Sequence, residues 1–131
     1  MLTDVRTGGQ EGYDRVVMEF RGSAVPGFQV RYDLNPRLEG SGDPVRLDGG
    51  AALVVTADRT TYPGEGSDYY AGPNRLDGPG GSVTDVVVGG TFEGYTDIYV
   101  GVADEARPYR VFTLTDPPRV VVDVAASSSE G

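Results

Sequence analysis

The sequence predicts an all-β protein, a two-sheet β-sandwich of eight to nine short strands built on an internal duplication. Three observations carry this. The 131 residues include 20 glycines and 9 prolines, with valine far ahead of leucine. A chain interrupted so often by the poorest helix formers, and so rich in a β-branched residue, favours short strands over helices. Apolar residues recur at every second position in several stretches, the period of a half-buried strand. Finally, LTDVRTGGQEGYDRVVMEF at 2–20 returns as VTDVVVGGTFEGYTDIYVGV at 83–102. With one residue inserted in the second copy, Thr3/Thr84, Asp4/Asp85, Val5/Val86, Gly8/Gly89, Gly9/Gly90, Glu11/Glu93, Gly12/Gly94 and Tyr13/Tyr95 coincide. Such agreement marks a duplicated structural unit.

The elements follow in order. In DRVVMEFR, Val16, Met18 and Phe20 share one face and Arg15, Val17, Glu19 and Arg21 the other. GFQVRYD repeats the pattern, with Phe28, Val30 and Tyr32 expected inward. NPRLEGSGDP is turn-rich, and VRL, a DGG turn at 48–50 and AALVVTA read as a hairpin. Residues 58–82 show neither the strand nor the helix period and are crowded with Gly, Pro, Asp and Ser. A loop of that length in a compact domain is expected to be either functional or disordered. The second copy then gives a strand, a TFEGY connection and a return strand with Ile98, Val100 and Val102 inward. YRVFTL, a TDPP turn and RVVVDV close the domain, with Val120, Val122 and Val124 on one face and Arg119, Val121 and Asp123 on the other. RVVVDV also echoes RVVMEF at 15–20. One domain is expected over 2–125, followed by a disordered tail at 126–131. Each copy of the repeat is expected to open one sheet, the two sheets being related by an approximate two-fold. A closed small barrel is the alternative.

The side-chain inventory restricts the chemistry. Cys, His, Trp and Lys are absent, which excludes a thiol nucleophile, an imidazole base, a lysine Schiff base and a Cys/His zinc site. A carboxylate pair of the glycosidase kind survives that inventory, but spacing alone does not recognise one. The net charge of -9 and pI near 4.3 oppose nucleic acid and anionic membrane surfaces. No apolar run is long enough to span a membrane. The acidic turns GGQEGYD and GGTFEGYTD lack the alternating ligand spacing of a calcium loop. The doubled glycines at 8–9 and 89–90 lead into no helix and are expected to take positive φ at turns or bulges rather than to cradle phosphate. No cofactor or metal is expected. Arginine to the exclusion of lysine, with a single isoleucine, matches the codon usage of a GC-rich bacterial genome.

YRVFTLTDPPRVVVDV at 109–124 resembles the closing hairpin of an AMIN domain, with its L-x-x-P-P-R turn and R-V-V-V-D-V strand, and LTDVRTGGQEGYDRVVMEF resembles the opening hairpin. The whole of 2–125 is similar to the AMIN-like domain of actinobacterial secreted proteins and lipoproteins, including PGFQVRYD, GSGDPVRLDGGAALVV and YYAGPNRL. The resemblance implies a β-sandwich exported to the cell envelope by a signal peptide absent from this sequence, free or lipid-anchored, and without catalysis of its own. AMIN domains target wall amidases to peptidoglycan or to septal partners, and they occur in pilus and secretion assemblies. The expected function is therefore a non-catalytic envelope module recognising peptidoglycan or another wall glycan. The alternative is a protein-interaction domain that scaffolds an envelope complex without a glycan ligand. The 58–82 segment departs from the simple AMIN pattern.

Two sets of candidate residues follow. Arg15 with Glu19, and Arg119 with Asp123, form an outward polar strip. It is either a glycan or carboxylate site built on forked guanidinium donors, or ordinary exposed charge worth under about 1 kcal/mol per pair. Tyr62, Tyr69 and Tyr70, with Arg75 nearby, are either an aromatic sugar platform or rings folded over an open edge of the sandwich.

Overall fold

The computed structural model describes residues 1–22, 25–60 and 69–126. Among them nine strands form: β1 (Leu2–Gln10), β2 (Tyr13–Phe20), β3 (Phe28–Tyr32), β4 (Ala51–Ala57), β5 (Arg75–Asp77), β6 (Val83–Phe92), β7 (Tyr95–Val102), β8 (Tyr109–Leu114) and β9 (Arg119–Ala125). No helix occurs among the described residues. The strands build two separate antiparallel sheets, ordered β1-β2-β9-β8 and β3-β4-β7-β6-β5. This is the expected sandwich and not the closed barrel.

The registers show how the duplication is folded. β2 pairs β9 with Arg15 opposite Asp123 and Met18 opposite Val120. β7 pairs β4 with Asp97 opposite Thr56 and Val100 opposite Leu53. The repeat aligns Arg15 with Asp97 and Met18 with Val100, so β9 and β4 hold equivalent places, as do their outer neighbours β8 and β3. Each copy opens one sheet, and each half sends its second strand pair into the sheet opened by the other. The residue inserted in the second copy is taken up as a bulge between Val88 and Gly90, where Gly90 has φ 88°. Gly8 and Gly90 then face the equivalent residues Arg15 and Asp97. Of the doubled glycines only Gly90 has positive φ. The hairpin turns belong instead to Gly12 (φ 86°) and Gly94 (φ 85°).

The alternating residues meet between the sheets. Leu2, Val5, Val16, Met18, Phe20, Val120, Val122 and Val124 from one sheet pack with Leu53, Val55, Ala57, Val83, Val86, Val88, Ile98, Val100 and Val102 from the other, all buried. Each larger side chain removed from water in this way contributes roughly 1.5–3 kcal/mol.

Two expectations are corrected and a third is refined. VRL does not pair with AALVVTA. β4 already has β3 on one edge and β7 on the other, so no edge is left for a third strand, and 44–47 retains a single bridge, Arg37 to Pro44. Phe28 shares the inward face with Val30 and Tyr32, opposite the buried Ala57, yet remains 37% exposed. It opens an edge strand, where one flank of the ring is uncovered, and its equivalent Tyr109 is exposed alike. The 58–82 segment is not strandless, since β5 forms within it and pairs with β6. Three residues are too few to show a period. Residues 61–68 of that segment and 127–131 of the tail lie outside the described residues. Ala126 is described and donates its amide to the Gly12 carbonyl.

Candidate functional site on the open sheet face

Each sheet has an outer face, and the chain treats the two differently. Residues 33–50 run across the outer face of the five-stranded sheet. The Tyr99 hydroxyl donates to the Arg37 carbonyl at 2.9 Å. The Asp48 amide donates to the Asp85 carboxylate at 3.1 Å. Arg75 bridges Asp85 and the Arg46 carbonyl. Under this cover Val54, Tyr99, Asp85 and Asp97 are all buried. Burial raises the Tyr99 hydroxyl to about 12, with help from Asp97 and Glu39. No described segment crosses the outer face of the four-stranded sheet.

That open face carries a cluster centred on β9. Asp123 is 3% exposed and lies in one cross-strand row with Arg15 of β2 and Arg110 of β8. Arg15 donates from Nε to Oδ1 at 2.8 Å and from Nη2 to Oδ2 at 3.0 Å. Arg110 donates from Nε to Oδ2 at 2.8 Å. Tyr13 and Phe112 sit in the adjoining rows, and both guanidinium carbons lie 5.4–5.6 Å from both ring centroids, within cation–π range. Burial alone would raise the Asp123 carboxyl, but the hydrogen bonds and charges of Arg15 and Arg110 outweigh it and hold the group below its ordinary value. Two guanidiniums share one carboxylate, so the cluster keeps one positive charge in a chain of net charge -9. Among the described residues, Nη1 of Arg15 and both Nη atoms of Arg110 have no hydrogen-bond acceptor. A shallow depression of about 240 Å³ opens beside Arg110, lined also by Tyr13, Pro108, Tyr109, Asp123 and Ala125. Chemically this surface can take an anionic group on the free donors and an apolar or C–H-rich face on the rings.

The candidate residues fall into separate places. Arg15 and Asp123 meet, but across strands and not along them. Residues four apart on a strand are about 13 Å apart, so the strip is built of cross-strand partners, Arg15 opposite Asp123 and Glu19 opposite Arg119. Glu19 instead accepts from Arg6 at 3.1 Å, and Arg119 donates to the carbonyls of Thr115 (3.0 Å) and Pro117 (3.2 Å). Tyr69 and Tyr70 pack against the core. The Tyr69 hydroxyl meets Thr91 Oγ1 at 3.1 Å, and Tyr70 donates its amide to the Leu2 carbonyl and its hydroxyl to the Pro73 carbonyl. Arg75 lies on the covered sheet, and Tyr62 lies outside the described residues. Tyr13, Arg110 and Phe112 were not among the candidates. The alternation in YRVFTL does place Arg110 and Phe112 on one face, but their partner on β9 emerges only with the register.

A family model described as the AMIN-like domain matches residues 1–126. The chain belongs to the AMIN-like domain family. AMIN-like domains are cell-envelope binding and targeting domains. No curated protein matches this AMIN-like domain. No helix among its described residues is long and apolar enough to cross a membrane.

Proposed function

We propose that this AMIN-like domain is a non-catalytic targeting module that binds peptidoglycan or a related wall glycan through the open face of its four-stranded sheet. The observation that supports this is the Asp123-centred cluster. Two arginines with unused donors are held in place by a buried carboxylate, between two aromatic rings, on the sheet face that no described segment covers. Wall polymers offer carboxylates for the donors and sugar C–H faces for the rings. Because the whole chain is acidic, a polyanionic wall is repelled at long range, so affinity must come from local contacts. Co-sedimentation with purified sacculi tests the reading. The wild-type domain is expected in the pellet at low and moderate salt. Phe112→Ala is expected to weaken binding about tenfold, or roughly 1.4 kcal/mol, with its melting temperature checked in parallel. A wild-type domain that stays in the supernatant under both conditions refutes the proposal.

A further inference from the structure

The two flanks of the sandwich are finished differently. On one flank β5 extends the sheet beyond β6, Tyr70 donates its amide to Leu2 of β1, and Thr7 donates its hydroxyl to the Asp77 carbonyl at 3.2 Å. On the other flank β8 ends its sheet with nothing described beside it. The Ala125 amide donates to the Pro108 carbonyl at 2.9 Å, and Arg110 and Phe112 stand opposite Asp123 and Val121. In an antiparallel ladder alternate residues turn both backbone groups to the same neighbour. Arg110 and Phe112, in step with Pro108, therefore face β9. Tyr109, Val111 and Thr113 direct their amides and carbonyls outward, where none has a hydrogen-bond partner among the described residues. Edge strands are ordinarily blunted by proline, a bulge, an inward charge or charged side chains, lysine above all, and the one charge on β8, Arg110, is engaged with Asp123 of the neighbouring strand. The six residues YRVFTL have no proline and no acid, and their pairing with β9 runs without a register shift.

We propose that the outer edge of β8 accepts, by strand addition, an extended segment of a partner protein carrying an acidic and an apolar residue two positions apart. β9 shows the rule from the inner side, placing Asp123 against Arg110 and Val121 against Phe112. Arg110 is 64% exposed at its side chain, and its two Nη groups, without an acceptor among the described residues, can meet a second carboxylate on the outer side. The added strand continues the sheet through the groups of Tyr109, Val111 and Thr113, with its acid beside Arg110 and its apolar residue beside Phe112. Main-chain pairing supplies affinity and the alternate side chains supply selection.

The probe is a capped synthetic peptide with the β9 sequence RVVVDVA, compared with the same peptide bearing lysine for aspartate, in amide hydrogen exchange read by NMR on the intact domain. The aspartate peptide is expected to slow exchange of the Tyr109, Val111 and Thr113 amides at least about tenfold at saturation. The lysine peptide is expected to bind about tenfold more weakly, as loss of one charge-assisted contact implies. Thr113→Pro removes an outward donor without touching the β9 ladder, and it is expected to weaken peptide binding while leaving sacculus binding unchanged. Three results overturn the proposal: no protection of these amides by millimolar peptide, equal binding of the two peptides, or protection that appears on raising the protein concentration alone. The last would make the partner a second copy of the chain. The peptide comparison stands even if Thr113→Pro fails to fold.

Discussion

The duplication lets two residue pairs be compared in one fold. Arg15 opposite Asp123 and Asp97 opposite Thr56 occupy equivalent places on the outer faces of the two sheets. On the open face the pair is ionic. Under the covering segment it is a carboxylate taking a 2.6 Å hydrogen bond from the Thr56 hydroxyl, without an arginine in hydrogen-bonding contact. Burial pushes the Asp97 carboxyl above its ordinary value, against the opposing effect of Thr56. Its folded form therefore holds a proton more tightly than the unfolded chain does, and ionised Asp97 costs stability near neutral pH. That cost is relieved as pH falls through the raised folded value, and is gone below the unfolded value of about 4. Asp123 has the opposite sign. Its folded value is depressed, so its contribution is present above about pH 4 and is lost as pH falls through the folded value. Asp97→Asn, which keeps an acceptor for Thr56, is expected to melt higher than wild type near neutral pH, with the gap closing in acid. Asp123→Asn is expected to cost about 1–3 kcal/mol near neutral pH, discounted for the exposure of its arginines, and to converge on wild type in acid. Thermal unfolding of the three proteins across pH decides this, and an Asp97→Asn protein no more stable than wild type near neutrality would sink the assignment.

At the scale of elements, the covered sheet explains a difference between the copies. Glu19 in β2 is matched by Gly101 in β7, and a methyl at Gly101 would land on the Asp85 carboxylate and the Thr84 hydroxyl. Asp85 is the anchor of the 33–50 segment, through the Asp48 amide and Arg75. Gly101→Ala must displace that anchor. It is expected to lose about 1–3 kcal/mol and to speed exchange of the Asp48 amide, whereas Glu19→Ala on the open sheet should change stability by under about 1 kcal/mol. A Gly101→Ala protein with unchanged Asp48 exchange would show that the segment is held elsewhere. The same elements show what the sequence reveals and where it stops. Two-residue alternation placed Val16, Met18, Val100 and Val122 in the core because periodicity is local. AALVVTA was identifiable as a strand, but its partners were not, because β7 lies about forty residues away and the nearer VRL competes as a local hairpin. Arg15 and Asp123 were legible as outward residues, whereas their contact depended on a pairing 108 residues apart, and Arg110, although only 13 residues from Asp123, joins them through the register of the β8–β9 hairpin.

For the whole molecule, the consequence of the duplication is interdependence. The first half supplies β1-β2 to one sheet and β3-β4 to the other. The second half supplies β8-β9 to the first sheet and β5, β6 and β7 to the second. Every half-sheet therefore depends on the other half for a neighbour, and an isolated pair of strands is at best marginally stable in water. A buried polar joint adds to this. Asp14 of β2 accepts the amides of Gly81, Ser82 and Val83 at 2.8–3.0 Å across the two halves. Separating the halves would leave β2, β4, β7 and β9 each with an unpaired edge, and would expose valine faces that only the opposite sheet covers. Cutting the chain between residues 64 and 65 tests this. Each fragment alone is expected to give the narrow NMR dispersion of an unfolded chain, and an equimolar mixture is expected to recover the dispersed spectrum and unfold in one cooperative transition. A dispersed spectrum from either fragment alone would mean that a half is an autonomous folding unit, and that the exchange of strand pairs between sheets is not what holds the sandwich together.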